Sequence, residues 1–334
     1  MHLRHWGSAG QTSNFHNHIP KMLDPFFSAP EIFVTKGKVL FDHLSLQSLP
    51  FHLHEIIVAF CFYTFIDTYG SHIISSQLFP NIYPSLAPRS KINWNIHVVS
   101  FVQSTLICTL ALWVLWTDEE RWNMDWTGRI WGYTGAGALV QAFAMGYFLW
   151  DLMASVVHLD VLGLSSLIHA VCAFLVVGIG FRPFANYYGL NFVLYELSTP
   201  FLNIHWFFDE LNMTGSRAQL YNGIVLLFTF FSCRLVWGVY QSAMLYQDIW
   251  KVYHAPSTTI SIPEFAIPGD PEWELFRSSV SSEDLTLPVW LAWGYLGTNT
   301  MLTLLNIYWF KQMISAVSKR FSTKEKITKA DKAK

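Results

Sequence analysis

The sequence predicts an all-α, multi-pass helical membrane protein with about seven transmembrane helices. Three observations carry this expectation. The 334 residues are 52% hydrophobic and 17% aromatic, and only 13% carry a charge. A soluble domain usually holds about 25% charged residues, so this chain has too few to cover a water-facing surface. Several stretches are also long and apolar enough for a hydrocarbon core of ~30 Å, which takes about 20 residues of helix. Finally, Lys and Arg gather on one set of connections and Asp and Glu on the other, the asymmetry that orients membrane proteins.

Taken in order, the chain opens on a polar segment, 1–50, with no apolar core of a cleavable signal peptide. The first helix, within 51–80, therefore has to direct insertion. Its apolar part is 51–69, FHLHEIIVAFCFYTFIDTY. The remaining apolar stretches are 95–117, 132–157, 161–181, 184–207, 220–246 and 287–310. The fifth, 184–207, carries Asn186, Asn191, Glu196, Pro200, Asn203 and His205, so it reads as a helix shielded by its neighbours and broken near Pro200. The stretch 255–286 is rich in Pro and acidic residues and reads as an extended loop. Residues 316–334 form a basic tail.

The basic tail places the C-terminus in the cytosol, and seven crossings place the N-terminus in the lumen. The loop with Arg89 and Lys91 is then cytosolic, and the acidic TDEER loop is lumenal. The sequon Asn212-Met213-Thr214 falls on the cytosolic side, where it carries no glycan. Cys61, Cys108, Cys172 and Cys233 all lie in apolar stretches and read as small buried hydrophobes, not disulfides or metal ligands. A net charge of −2, with no basic run among aromatics, gives no reason to expect a nucleic-acid partner.

The functional signal is polarity inside these stretches. An ionisable group at mid-bilayer costs roughly 2.5–3.5 kcal/mol on insertion scales, so such groups face the bundle interior and find partners. Tyr147, Asp151 and His158 share one face of the third helix. Glu196, Thr199 and Asn203 do so in the fifth, Arg234 and Gln241 in the sixth, and Asn299 and Asn306 in the seventh. These stripes converge on one interior. Arg234 there neutralises Asp151 or Glu196, and the amides and hydroxyls either stitch helices together or line a lipid cavity. His169 stands in the apolar run SSLIHAVCAF. It is either bonded to the next helix or serves as a proton-handling or nucleophilic group.

Five segments appear in a familiar order between about 89 and 315: KINWNIHVVSFVQS, GYFLWDL, IHA, YELSTPFLNIHWFFDEL and LLNIYWFKQM. In this order they resemble the TLC-domain family, which includes ceramide synthases and TRAM-type translocon proteins. ELSTPF and NIYWF are most similar to the small TLC-domain transmembrane subgroup that lacks the full ceramide synthase motif. The resemblance implies that 89–315 is a TLC domain of six helices around a central cavity in the endoplasmic reticulum membrane. The first helix is then an addition to that core.

Ceramide synthases place a His-His pair at the position of His169 and an HD…D motif in the next helix. This chain has Ala170 in place of the second histidine and YELST, with Glu196 and Ser198, in place of the latter. The resemblance thus implies an integral membrane protein that binds fatty acyl chains of membrane lipids and acts in lipid homeostasis. Its cavity would be lined by Tyr147, His158, Glu196, Ser198, Asn203, Arg234, Asn299 and Asn306. No cofactor or metal is expected, and self-association into a homo-oligomer is compatible with this reading. The alternative is an acyl-CoA-dependent lipid N-acyltransferase using His169 and Asp151, with acyl-CoA as co-substrate. A cargo or translocon-associated protein is a third reading, and it predicts co-purifying proteins in place of lipids.

Overall fold

The computed structural model describes residues 24–182, 184–254 and 287–331. The first 23 residues and the expected loop at 255–286 therefore lie outside the described residues. Every described element is helical. The helices line up as seven rods: α1 (Leu49–Leu78), α2 (Pro88–Thr117), α3 (Gly135–Val157), α4 (Leu164–Ile179), α5 (186–210), α6 (Arg217–His254) and α7 (Val289–Asp331). The protein is thus an all-α multi-pass membrane protein.

Length and apolarity alone qualify four helical spans, Leu49–Leu78, Pro88–Thr117, Trp126–Val157 and Arg217–His254. The other three rods depart from the expected stretches in instructive ways. α4 is only 16 residues long, because Gly163, at φ 79°, turns the chain between it and the short helix Leu159–Leu162. α5 consists of Asn186–Val193, a 3₁₀ turn at Leu194–Ser198 and Thr199–Glu210. Its break comes just before Pro200, which lacks an amide proton and disfavours helix in the residue before it. α7 runs unbroken for 43 residues, so the basic segment expected as a separate tail from 316 continues the last rod as far as Asp331.

Contacts at the rod ends fix their order. At one end Ser48 donates from its amide and its hydroxyl to Phe181 O, at 3.0 and 2.8 Å, and His52 Nε2 bonds the Tyr133 hydroxyl. Asp248 closes the same end: Arg129 grips it with Nε at 2.7 Å and Nη2 at 3.1 Å. Tyr188 and Lys251 donate to the same carboxylate. At the other end Arg89 bonds Asp160 O, and Trp94 packs on Phe207 with centroids 4.9 Å apart.

The outer surface is apolar. Trp116, Val157, Phe228 and Trp293 are each at least 70% exposed, which suits hydrocarbon and would be a liability in water. Cys61, expected to be buried, lies on this outer face, and all four cysteines are free.

α1 joins the bundle through small residues. A Cβ at Gly146 of α3 would sit 2.6 Å from Ala59 Cβ and 2.8 Å from Ile56 O. The two backbones approach more closely than any side chain allows, a recurrent device between membrane helices. Gly146→Val is expected to lower stability by about 1–3 kcal/mol, measured as unfolding of detergent-purified protein. Val157→Leu, on the lipid-facing surface, should leave unfolding unchanged. An undisturbed Gly146→Val protein would show that α1 is not held by this contact.

Candidate functional site

A cleft opens between α2, α3, α4, α5 and α7. Its walls are mostly apolar, with Ile107, Phe148, Ala173, Leu190, Val193 and Leu302 prominent. Polar groups enter from each helix: Gln103 from α2, Gln141 from α3, His169 from α4, Asn186 and Glu196 from α5, and Asn299 and Asn306 from α7.

Some of these are satisfied by protein. Gln141 Nε2 donates to Val177 O at 3.0 Å, and Tyr246 reaches Asn299 Oδ1 at 3.4 Å. Others are not. Gln103 is fully buried, yet neither its amide nitrogen nor its oxygen has a protein partner, and His169 Nδ1 and Asn186 Oδ1 are likewise unmet. His169 is held by ring contacts instead, edge-on to Trp309 at 5.4 Å and to Phe148 at 6.4 Å.

Behind the wall lies Arg234, 6% exposed. Its Nε donates to Ser198 Oγ at 3.0 Å, Nη1 to Asn306 Oδ1 at 3.1 Å and Nη2 to Thr199 Oγ1 at 2.9 Å. Glu196 Oε1 is 3.6 Å from Nη2, and the Phe230 ring lies 5.0 Å beneath the guanidinium. Local backbone irregularity makes this possible. Arg234 sits on a π-helical turn, Phe231–Trp237, and Glu196 and Ser198 sit on the facing 3₁₀ turn. Such turns redirect side chains that a regular helix would aim elsewhere. Just past the π turn, a Cβ at Gly238 would run into the Tyr195 ring.

The structure brings His169, Glu196, Asn299 and Asn306 together on the cleft wall, and places the other sequence-identified residues elsewhere. Ser198 and Arg234 are cross-braces behind the wall. Tyr147, packed on Trp150 and Tyr63 and bonded to Ser100, belongs to the core. Asn203 accepts from His97 Nδ1 at 2.7 Å and donates to Ser100 Oγ at 3.1 Å, tying α5 to α2. Asp151 is half-buried and absent from the cleft lining, though within reach of the charge on Glu196. His158 ends α3 near Asp67. Five residues expected to line the cavity, Tyr147, His158, Ser198, Asn203 and Arg234, thus do not border this cleft, and neither does Asp151, expected beside His169 as a catalytic group. Their helical spacing gives a face, but not the depth at which that face meets its neighbour.

Gln103 was missed in the sequence, although a lone amide inside IHVVSFVQSTLICT is the same kind of signal as His169.

A family model described as TLC domain matches residues 93–315. An uncharacterized TLC domain-containing protein of Schizosaccharomyces pombe is 34% identical over 287 residues, covering 86% of each chain. Topoisomerase I damage affected protein 4 of Saccharomyces cerevisiae is 30% identical, over 80% of this chain and 85% of its own. TLC domain-containing protein 4 of Homo sapiens is 30% identical over 54% of this chain and 68% of its own. No solved structure matches the chain.

The network around Arg234 specifies a double-mutant result. Arg234→Leu leaves Glu196 as a buried, uncompensated charge and is expected to lower stability by about 3–5 kcal/mol. Adding Glu196→Gln should recover part of that loss, and adding Asp151→Asn should recover none. Thermal unfolding of the purified variants is the measurement, and rescue by Asp151→Asn in place of Glu196→Gln would reassign the ion pair.

Proposed function

The chain belongs to the TLC-domain family, and on that premise we propose that it holds the acyl chain of a membrane lipid in the interior cleft and acts in membrane lipid homeostasis. One observation carries this reading: Gln103, His169 and Asn186, each with a buried polar atom that has no protein partner, line a cleft whose walls are mostly apolar. A buried polar group left unmet costs about 1–3 kcal/mol. An amphiphile resolves the mismatch. Its ester, amide or carboxyl group bonds Gln103 and His169, and its tail lies along Phe148, Leu190, Val193 and Leu302.

The second reading, acyl transfer from acyl-CoA to a lipid amine, has one specific observation in its favour. His169 Nδ1 is unpaired beside the cleft, with Glu196 on the same wall. The imidazole would take the amine proton as nitrogen attacks the thioester carbon, and CoA would leave as the thiol. Against it, the next residue is Ala170, which is fully buried and supplies no second imidazole.

The location we infer is the endoplasmic reticulum membrane, with the N-terminus lumenal and the C-terminus cytosolic. Three features support this orientation: the basic tail, the acidic connection after α2, and the run of the rods between two ends. On the same basis, residues 1–50 form a polar N-terminal segment, 51–80 the first transmembrane helix, 89–315 the TLC domain and 316–334 the cytosolic tail.

Lipid extracted from purified protein tests the cleft. Ala173→Trp fills it, and Val171→Trp places the same bulk on the half-exposed outer face. The expected outcome is a several-fold loss of bound lipid in the first variant only, with both variants unfolding as the parent does. Equal lipid in both would remove the cleft as the binding site. In the same preparations, incubation with acyl-CoA and a lipid amine, read by mass spectrometry of the extracted lipids, reports on the enzyme reading: N-acylated product made by the parent and absent with His169→Ala favours it.

Orientation predicts that Asn212, on the turn after α5, is never glycosylated. Asn212→Gln should therefore leave gel mobility unchanged, and a glycosidase-sensitive shift would invert the topology.

A further inference from the structure

We propose that Asp24, His52 and Glu55 form a binding site for a divalent transition-metal ion, zinc by its donor set, that clamps the N-terminal segment onto the head of α1. The three residues offer His52 Nδ1 and one carboxylate oxygen each, and these atoms all lie within 4.8 Å of one another. His52 Nδ1 is 2.8 Å from Glu55 Oε2 and 3.6 Å from Asp24 Oδ2. Around an ion bound at ~2.0–2.2 Å, small side-chain shifts bring all three donors into the coordination shell. Imidazole and carboxylate together suit zinc, and three protein ligands leave a fourth position for water.

The arrangement is prepared, not incidental. His52 and Glu55 are three residues apart in the first turns of α1, so they project from one face of the helix. The Tyr133 hydroxyl holds His52 Nε2, which fixes the ring with Nδ1 toward the two carboxylates, as outer-shell partners of metal-bound histidines do. His52 and Glu55 are almost fully buried, at 2% and 1% exposure. Asp24 is brought in by backbone packing: a Cβ on Gly135 would lie 2.5 Å from Asp24 N, so only glycine admits the segment at the start of α3.

The ion would join three pieces of chain at one end of the bundle: the N-terminal segment, α1 and, through Tyr133, the turn before α3. The first two lie outside residues 93–315 and the turn lies inside, so the clamp fastens the additional helix to the family domain. The site is separate from the cleft and does not depend on how the cleft is used.

Elemental analysis of the full chain, purified without added chelator, should find about one zinc per chain, with Asp24→Asn and His52→Ala each reducing it at least several-fold. EDTA should lower the unfolding temperature of the parent protein, and Zn²⁺ should restore it. Asp24→Asn, which alters only the segment side of the site, should unfold at the same temperature with and without EDTA. Another first-row metal at the same stoichiometry and with the same dependence supports the site and changes the ion. Metal-free parent protein whose unfolding ignores both EDTA and Zn²⁺ overturns the proposal, as does zinc that persists in both variants.

Discussion

Arg234 places a permanent positive charge among helices that otherwise offer it hydrocarbon, and the shape of the cleft follows from how that charge is satisfied. Its donors reach Ser198 and Thr199 on α5 and Asn306 on α7, and Glu196 supplies the countercharge. Three rods are thereby tied to one planar group. The fork geometry of a guanidinium matters here, since each nitrogen addresses a different partner and a point charge could not. With α5, α6 and α7 fixed behind the wall, the front of the wall is free to stay open.

Backbone irregularity is the cost of that arrangement and also its means. The π turn on α6 and the 3₁₀ turn on α5 face one another across the network. Regular helices would carry Arg234 and Glu196 past each other at the wrong angles. A second polar chain does similar work nearer the end that Asp248 closes. Arg121 Nη2 donates to Asn191 Oδ1 at 3.1 Å, and Asn191 Nδ2 donates to Gln241 Oε1 at 2.9 Å. Burial draws Arg121 down to about 10, with Asp118 opposing that shift. The interior is therefore stitched by amides and guanidinium groups at two levels, and the cleft lies where the stitching leaves a gap.

Much of this was legible in the sequence because membrane helices advertise their polar faces. The helical class, the polar stripes and the isolation of His169 all follow from which residues interrupt hydrophobic runs. The choice between Asp151 and Glu196 as partner of Arg234 did not follow, because it depends on helix depth and on two irregular turns that no periodicity reveals. Gln103 escaped because its stretch carries Ser and Thr that hide one more polar residue. The cluster at His52 escaped for another reason. FHLHEIIV reads as the edge of a hydrophobic helix, and Asp24 comes from a segment with no pattern at all. Its meaning lies in a tertiary contact made possible by Gly135.

The last rod has a mechanical consequence. Forty-three residues of unbroken helix at ~1.5 Å per residue extend about 65 Å, roughly twice the hydrocarbon thickness of a bilayer. Its first half carries Asn299, Leu302 and Asn306 in the cleft wall, and its lysine-rich remainder continues the same helix. The wall of the cavity and the basic end of the chain are thus parts of one rod, with no turn between them.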